Sequence, residues 1–282
     1  MCGIFGFLAP KASLAWRKRV LRDGLVQAAS RGDHATGIAF VDPEAGLTVL
    51  KDGVKSREFV VSEAFKEISQ KLPAMVMGHT RAATGGSTCG PHDNNNNHPF
   101  LGTETKIAVI HNGNVEDDLW RKTVGKEGGI NEKYPFVGQT DSELCLRMVE
   151  TCLESANSME EAIMDSCYNI EGSYALAYLR EAEPRKIWFV KHNNPIVFAL
   201  SRKEPYIVWG STADIIQRAI TDYTFHLNYF CEPLTPKLIF EEMTEGTIVT
   251  IEMLEEDPWF KITSKDFVPK GGKLPNTSTA LY

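Results

Sequence analysis

The amino-acid sequence predicts an α+β protein with largely antiparallel β-sheets. Two observations support this fold class. Helical and strand-like segments come in blocks along the chain, whereas a doubly wound parallel sheet would require strict alternation of strands and helices. From residue 172 onward, short apolar segments of strand length recur, and one helical segment interrupts them.

The N-terminal part begins with a short apolar segment at residues 2–8, which we predict to be a buried strand. Residues 14–30 have apolar side chains at helical spacing, and the pattern stops before Gly32. A Pro- and Gly-containing turn separates two apolar segments and predicts a hairpin over residues 37–50. The next predicted elements are a helix at 57–72 and strands at 74–79 and 106–110.

The rest of the chain divides into helical segments followed by strands. Helices are predicted at 115–123, 141–155, 158–168 and 212–219, and strands at 173–179, 186–190, 196–200, 206–209, 247–251 and 258–263. Four consecutive asparagines, at residues 94–97, suit a surface turn. No linker divides the body, so we expect one domain over residues 1–265 and a flexible Gly/Pro/Ser/Thr-rich tail over residues 266–282.

The composition argues against several classes of function. With 30 Lys and Arg against 37 Asp and Glu, a net charge of −7 disfavours non-specific binding to nucleic acid or anionic membrane. No apolar run approaches the ~20 residues of a membrane helix. The six cysteines suggest no disulfide framework, which indicates a reducing, cytoplasmic compartment. Cys89, His92 and His98 lie close in sequence, but no fourth ligand follows at the usual spacing, so we predict neither a metal nor another cofactor.

A cysteine at position 2 has special chemistry once the initiator methionine is removed. Cys2 would then carry both a thiol and a free α-amino group, whose ordinary pKa of about 7.7–8.0 leaves it partly neutral near pH 7. Such an amine can accept the thiol proton, so that the nucleophile supplies its own base. The alternative is a small buried residue at the start of a strand, because free cysteines are commonly buried.

Cys2 lies in the first of five short motifs along the chain: Cys2-Gly3-Ile4-Phe5-Gly6, Arg31-Gly32-Asp33-His34-Ala35-Thr36-Gly37, Gly78-His79-Thr80-Arg81-Ala82-Ala83-Thr84, His111-Asn112-Gly113-Asn114 and Gln139-Thr140-Asp141-Ser142-Glu143. In this order they resemble the class II glutamine amidotransferases, which are N-terminal nucleophile hydrolases, and most of all the glutaminase half of glucosamine-6-phosphate synthases. The resemblance extends over roughly residues 1–255. It implies a four-layer αββα sandwich and a glutaminase domain over residues 1–265.

The resemblance also implies roles for individual residues. Cys2 is the expected nucleophile, Asn112 and Gly113 form the oxyanion hole, and Arg31 positions the N-terminal residue. Two donors at the oxyanion hole stabilise a tetrahedral intermediate. Taken alone, an Asn-Gly pair is also a common hairpin turn, and an arginine after a helix is also a favourable helix C-terminal cation.

The substrate-binding residues implied by the resemblance are Arg81, Thr84, His98 and Asp141. The planar guanidinium of Arg81 suits the α-carboxylate of glutamine, and the carboxylate of Asp141 suits its α-ammonium. An ordinary ion pair for Arg81 and a helix N-cap for Asp141 are the alternatives. Ala82 stands where the family usually has an aromatic residue, which bears on how tightly glutamine is selected.

The reaction implied by the resemblance is hydrolysis of the glutamine side-chain amide through a Cys2 thioester, giving glutamate and ammonia. The acceptor domain of the family is not recognisable in the sequence, so we expect a separate synthase chain as partner and make no prediction of the oligomeric state. One alternative is a stand-alone cysteine amide hydrolase acting on γ-glutamyl or other acyl amides. Another is a non-catalytic binding or regulatory module, which the presence of Cys2, Asn112 and Gly113 argues against.

Overall fold

Two antiparallel β-sheets lie face to face between layers of helices. The computed structural model of the protein describes residues 1–83, 90–116, 133–201, 203–227 and 238–268. In these ranges helices cover the outer face of each sheet, and side chains from both sheets fill the space between them. The predicted α+β class and the four-layer αββα sandwich are therefore confirmed.

The first sheet has seven strands: β1 (Gly3–Leu8), β2 (Ala35–Asp42), β3 (Gly46–Asp52), β4 (Met75–Arg81), β9 (Val197–Ser201), β10 (Ile207–Gly210) and β11 (Leu238–Glu242). Their order is β11-β9-β10-β1-β4-β2-β3. β1 lies at the centre, with Gly3 opposite Thr80 of β4 and Phe5 opposite Gly210 of β10. All six residues of β1 are buried, so the chain that follows Cys2 is held firmly on both sides.

The second sheet has six strands: β5 (Phe100–Gly102), β6 (Ile107–Val115), β7 (Gly172–Arg180), β8 (Lys186–His192), β12 (Thr247–Met253) and β13 (Phe260–Asp266). Their order is β13-β12-β8-β7-β6-β5. The strand predicted at 106–110 is too short, because β6 continues to Val115 in register with β7. Asn112 and Gly113 therefore belong to a strand rather than to the turn expected after one.

The helices are α1 (Leu14–Ala28), α2 (Ser56–Phe59), α3 (Glu63–Ser69), α4 (Asp141–Cys152), α5 (Met159–Asn169) and α6 (Ala213–Leu227). α1 and α6 pack on the first sheet, and α4 and α5 pack on the second. The single helix predicted at 57–72 is wrong. Ser62 has an extended backbone (φ −62°, ψ 152°), and its side chain accepts a hydrogen bond from Phe65 N, so it begins a new helix. The predicted helix at 115–123 starts at the last residue of β6, and its residues 117–123 lie outside the described residues.

The core between the sheets brings the start of β1 close to the end of β6. Ile4 and Met77 of the first sheet pack there with Ile110 and Ala175 of the second. Because both sheets are buried on this face, neither strand end can shift without disturbing the shared core. This packing places the Cys2 end of one sheet beside the Asn112 end of the other.

The asparagine run is buried at its end, contrary to the predicted surface turn. Asn96 and Asn97 are both inaccessible to solvent. Asn96 Oδ1 accepts a hydrogen bond from Gln139 N at 2.7 Å, and Asn97 Nδ2 donates to Pro91 O at 2.7 Å. Amide side chains can satisfy backbone groups of neighbouring loops, and the composition of this segment could not show that these asparagines do so.

Two short strands were not predicted, and a third strand extends beyond its predicted bounds. Strands β5 and β11 had no counterpart in the sequence analysis, because three and five residues carry too little pattern. β13 runs to Asp266, and Phe267 is buried, so packed structure reaches past residue 265. Among the described residues, no helix has both the length and the apolar character needed to cross a membrane.

Candidate active site

Cys2 lies at the start of β1, against the end of β4. Its Sγ accepts a hydrogen bond from Ala82 N at 3.3 Å and lies 3.8 Å from Ala82 O. Burial raises the pKa of the Cys2 thiol above its ordinary value, while the Ala82 hydrogen bond and the charge of Arg81 act in the opposite direction. A buried thiol with a raised pKa needs a base to remove its proton when it attacks a substrate.

The backbone around Cys2 is fixed from the side of α1. Arg31 Nε donates to Cys2 O at 2.8 Å, which holds the N-terminal residue directly. A Cβ at Gly3 would lie 2.4 Å from Ala28 O and 2.6 Å from Thr80 Oγ1, so only glycine permits this close approach. The geometry is the one expected for Arg31 as a positioning residue, rather than as a helix C-terminal cation alone.

Asn112 and Gly113 lie on β6, facing the start of β1 across the sandwich. Asn112 is buried, and its Nδ2 lies 2.8 Å from Ser211 Oγ. Gly113 has φ +142°, and a Cβ there would lie 1.9 Å from Ser173 O, so another residue type would strain the strand. The unusual backbone at Gly113 is thus specified by glycine within a strand, not by a hairpin turn.

Positive charge collects at the end of β4. Arg81 is buried, and its Nη1 donates to Asn97 Oδ1 at 2.9 Å. Lys51 Nζ donates to the backbone O of the same Asn97 at 2.7 Å, and burial lowers the pKa of Lys51 to about 8. A buried cluster of this sign, close to the Cys2 thiol, suits a substrate carboxylate.

Asp141 supplies negative charge near Cys2. It is the first residue of α4, and its Oδ2 accepts a hydrogen bond from Val115 N at 2.7 Å. Thr140, not Asp141, is the N-cap residue, so the N-cap alternative is incorrect, although an acidic residue in the first turn remains favourable. The charge of Asp141 raises the pKa of Cys2 while that of Arg81 lowers it, so both charges lie near the thiol.

Comparison with known proteins identifies the family. The family model for class II glutamine amidotransferases matches residues 1–206, which is most of the chain. The chain belongs to this family. The match includes Cys2, Arg31, Arg81, Asn112 and Asp141.

Among curated relatives, the chain resembles glutamine–fructose-6-phosphate aminotransferases (isomerizing). It is 30% identical over 207 residues to that of Leifsonia xyli subsp. xyli, covering 73% of this chain and 31% of the relative. It is 32% identical over 208 residues to that of Sulfolobus acidocaldarius, covering 73% of this chain and 33% of the relative. The chain therefore matches about a third of the length of these relatives.

Solved structures support the same fold at low sequence identity. Glutamine phosphoribosylpyrophosphate amidotransferase from B. subtilis has a TM-score of 0.62 at 18% identity, over 93% of this chain and 49% of that chain. A glutamine aminotransferase class II domain protein from Silicibacter pomeroyi has a TM-score of 0.56 at 13% identity, over 95% of this chain and all of that chain. Both likenesses concern the fold.

In this class II amidotransferase, most residues predicted for the site lie around Cys2. Arg31 and Arg81 approach from α1 and β4, and Asn112 and Gly113 approach from β6. Thr84, predicted to bind substrate, lies outside the described residues. The roles of all these residues remain predictions.

His98 is buried next to the site and is not exposed on its surface. It is 3% exposed, and its ring stacks on that of His79 with centroids 3.9 Å apart. Among the described residues neither ring nitrogen of His98 has a hydrogen-bond partner. Direct substrate contact by His98 would therefore require substrate to reach a buried ring, and its role in binding substrate stays a prediction.

Two residues at the site were not selected from sequence. Asn97 links Arg81 to Lys51, and Ser211 contacts Asn112. Neither belongs to the five motifs that carry the family resemblance. Their importance depends on contacts between distant segments, which the local sequence does not reveal.

Three buried histidines next to the site should make stability depend on pH. Burial lowers the pKa of His79 to about 3, and it also lowers the pKa values of His98 and His111. In the unfolded chain all three have ordinary pKa values near 6.5. The unfolded state therefore binds more protons below that pH, and the free energy of unfolding falls as pH falls from about 6.5 toward about 3.

We expect each buried histidine to lower the free energy of unfolding by about 1.4 kcal/mol for each unit that the pH falls within this window. The measurement is the urea midpoint between pH 6.5 and 5, which lies above the ordinary carboxylate range. His98→Phe should reduce the pH dependence of the free energy of unfolding by the contribution of one bound proton. His92→Gln, at an exposed histidine, should leave that dependence unchanged. A midpoint that does not vary with pH over this range would contradict the assignment of neutral buried rings.

Proposed function

We propose that the protein hydrolyses the side-chain amide of glutamine, with Cys2 as the nucleophile after removal of Met1. The arrangement of charge around the thiol is the main support. Arg81 and Asp141 lie near Cys2 with opposite charges, which matches the carboxylate and ammonium of a free amino acid. The two groups would hold glutamine at its α-carbon, close to the Cys2 thiol.

Removal of Met1 is sterically feasible and chemically necessary for this mechanism. Met1 is 76% exposed, and the residue that follows it is small, so an aminopeptidase has access to the bond. The α-amine of Cys2 then becomes free beside its own thiol. Because burial raises the thiol pKa, this amine is the base that the nucleophile needs.

The reaction has two stages, formation of a thioester on Cys2 and its hydrolysis. The α-amine of Cys2 accepts the thiol proton while Sγ attacks the amide carbon of glutamine, and the carbonyl oxygen becomes an oxyanion held by Asn112 and Gly113. The carbon–nitrogen bond then breaks, ammonia leaves with the proton from the α-ammonium, and a γ-glutamyl thioester remains. Water, deprotonated by the same amine, hydrolyses the thioester to glutamate and restores the thiol.

We infer that the ammonia passes to a synthase. The aminotransferase relatives are about three times as long as the matched region and are named for transfer to fructose 6-phosphate. A glutaminase that ran without an acceptor would waste glutamine, so coupling of the two reactions is physically sensible. Co-purification, followed by glutaminase assays with and without any co-purifying chain and its acceptor, would test this coupling.

The experiment that tests the proposed hydrolysis compares substrates. The products to be measured are ammonia and glutamate from free glutamine, ammonia and aspartate from asparagine, and aniline and glutamate from a γ-glutamyl anilide. Glutamine hydrolysis that is lost in Cys2→Ala supports the proposal. Faster turnover of the anilide than of glutamine would instead favour the stand-alone amide hydrolase, and no turnover of any amide would favour the binding module.

Arg81→Lys should raise the KM for glutamine about tenfold or more, because a charged hydrogen bond is worth ~1.5–3 kcal/mol. Lysine keeps the charge but loses the planar fork that suits a carboxylate. The measurement is steady-state kinetics, with Arg185→Lys, at an arginine paired with Glu255, as the matched control. Unchanged kcat/KM for glutamine in Arg81→Lys would show that Arg81 does not bind the carboxylate.

A further inference from the structure

A single hydroxyl joins the two sheets at the candidate site. Ser211 directly follows β10, where its N donates to Ile4 O at 3.0 Å, and Ile4 N donates to its Oγ at 2.8 Å. Asn112 Nδ2, from the other sheet, lies 2.8 Å from the same Oγ. Ser211 therefore connects the strand that carries Cys2 to the residue expected to stabilise the oxyanion.

Matching the hydrogen-bond donors and acceptors at Ser211 favours one orientation of the Asn112 side-chain amide. A serine hydroxyl has one hydrogen to donate and two lone pairs to accept with. If Asn112 presents Nδ2, then Oγ accepts from both Ile4 and Asn112, and its own hydrogen has no acceptor among the described residues. Asn112 Oδ1 is also buried without a partner in that orientation. Ser211 is fully buried, so unmet groups of this kind each cost about 1–3 kcal/mol.

The opposite amide orientation satisfies the Ser211 hydroxyl and the Asn112 oxygen together. A rotation of 180° about χ2 exchanges Oδ1 and Nδ2 of Asn112, which occupy almost the same space. Ser211 then accepts from Ile4 N and donates to Asn112 Oδ1, so the hydroxyl is satisfied. Nδ2 of Asn112 then lies on the side of the amide that contacts His79, whose Nδ1 is also buried without a partner. An amide nitrogen has two hydrogens, so one can be donated to His79 Nδ1 while the other is left for substrate.

We propose that Ser211 is a positioning residue that sets this orientation and so makes Asn112 a hydrogen-bond donor toward substrate. The inference rests on the proposed function, because an oxyanion needs a donor and is repelled by an amide oxygen. Ser211 also fixes the spacing between the oxyanion donor and the nucleophile, since Ile4 lies two residues after Cys2. Without the hydroxyl, either orientation of the amide would be available.

The first test is kinetic. Ser211→Ala is expected to lower kcat for glutamine about ten- to a hundredfold while KM changes by less than about twofold, because misplacing an oxyanion donor affects mainly the chemical step. Ser211→Thr keeps the hydroxyl and should recover most of kcat. Ser166→Ala removes an equally buried hydroxyl, one that donates to Ile163 O within α5, and should leave kcat unchanged.

A double-mutant cycle separates positioning from a general structural role. In an Asn112→Ala background, adding Ser211→Ala should lower kcat by less than about twofold, because the group that Ser211 positions is already gone. Equal losses from Ser211→Ala in both backgrounds, or an unchanged kcat in Ser211→Ala alone, would overturn the inference. Thermal melts of each variant show whether a loss of kcat reflects unfolding instead.

The orientation can also be measured without turnover. In protein labelled with ¹⁵N asparagine, the side-chain amide hydrogens of Asn112 should show no strong nuclear Overhauser effect to the β-hydrogens of Ser211. A strong effect would mean that Nδ2 faces Ser211, and the inference would be wrong. If the wild-type protein shows the expected orientation but does not hydrolyse glutamine, the proposed function fails while the assignment of Ser211 stands.

Discussion

Cys2→Ala is expected to abolish glutamine hydrolysis while the fold remains intact. Alanine removes the only atom of residue 2 that can form the thioester, and the residue directly precedes β1 rather than lying inside a core cluster. The thermal midpoint should therefore change little. The measurement is ammonia release, with circular dichroism to confirm folding.

Covalent labelling tests independently whether Cys2 is the nucleophile. An electrophilic glutamine analogue should modify Cys2, and intact mass should show a mature protein that begins there. The other described cysteines are poor nucleophiles, because burial raises the pKa of Cys152 to about 11 and that of Cys167 to about 12, and it raises that of Cys145 as well. Cys152→Ala is the matched control and should retain activity.

Two outcomes would contradict the assignment of Cys2. A protein that retains Met1 and still turns over glutamine at the wild-type rate would show that a free α-amine is not the base. Residual turnover in Cys2→Ala above that of an inactive preparation would mean that another group is the nucleophile. Cys89, which the analogue is also expected to spare, lies outside the described residues and is checked in the same mass spectrum.

Apolar periodicity predicted many of the individual helices and strands because these are long periodic segments, whereas the four-layer arrangement was implied by the family resemblance. Helix α1 and strands β1, β7 and β8 each have enough apolar side chains in one pattern to identify the element and its buried face. The predicted helix over 57–72 fails because the cap at Ser62 divides a segment whose apolar spacing is continuous. A side-chain cap acts on the backbone locally, and an average over the whole segment does not detect it.

The candidate site was predictable to the extent that each residue belongs to a motif. Cys2, Arg81, Asn112 and Asp141 stand in short blocks whose order along the chain is specific. Ser211 stands more than 200 positions from Ile4 in sequence, yet the two share a pair of backbone and side-chain hydrogen bonds. Contacts of this kind depend on sheet order, with β10 next to β1, which local patterns do not determine.

Asn112→Ala is expected to lower kcat for glutamine about 100- to 1,000-fold, the usual effect of losing one oxyanion donor. The negative charge on oxygen exists in the transition state and not in bound glutamine, so the loss should affect kcat far more than KM. Both the formation and the hydrolysis of the thioester pass through an oxyanion, so both steps should slow. Asn157→Ala, at an exposed asparagine between α4 and α5, is the matched control. If Asn112→Ala instead raises KM with kcat unchanged, Asn112 forms part of the pocket wall, and Gly113 N is left as the principal donor to the oxyanion.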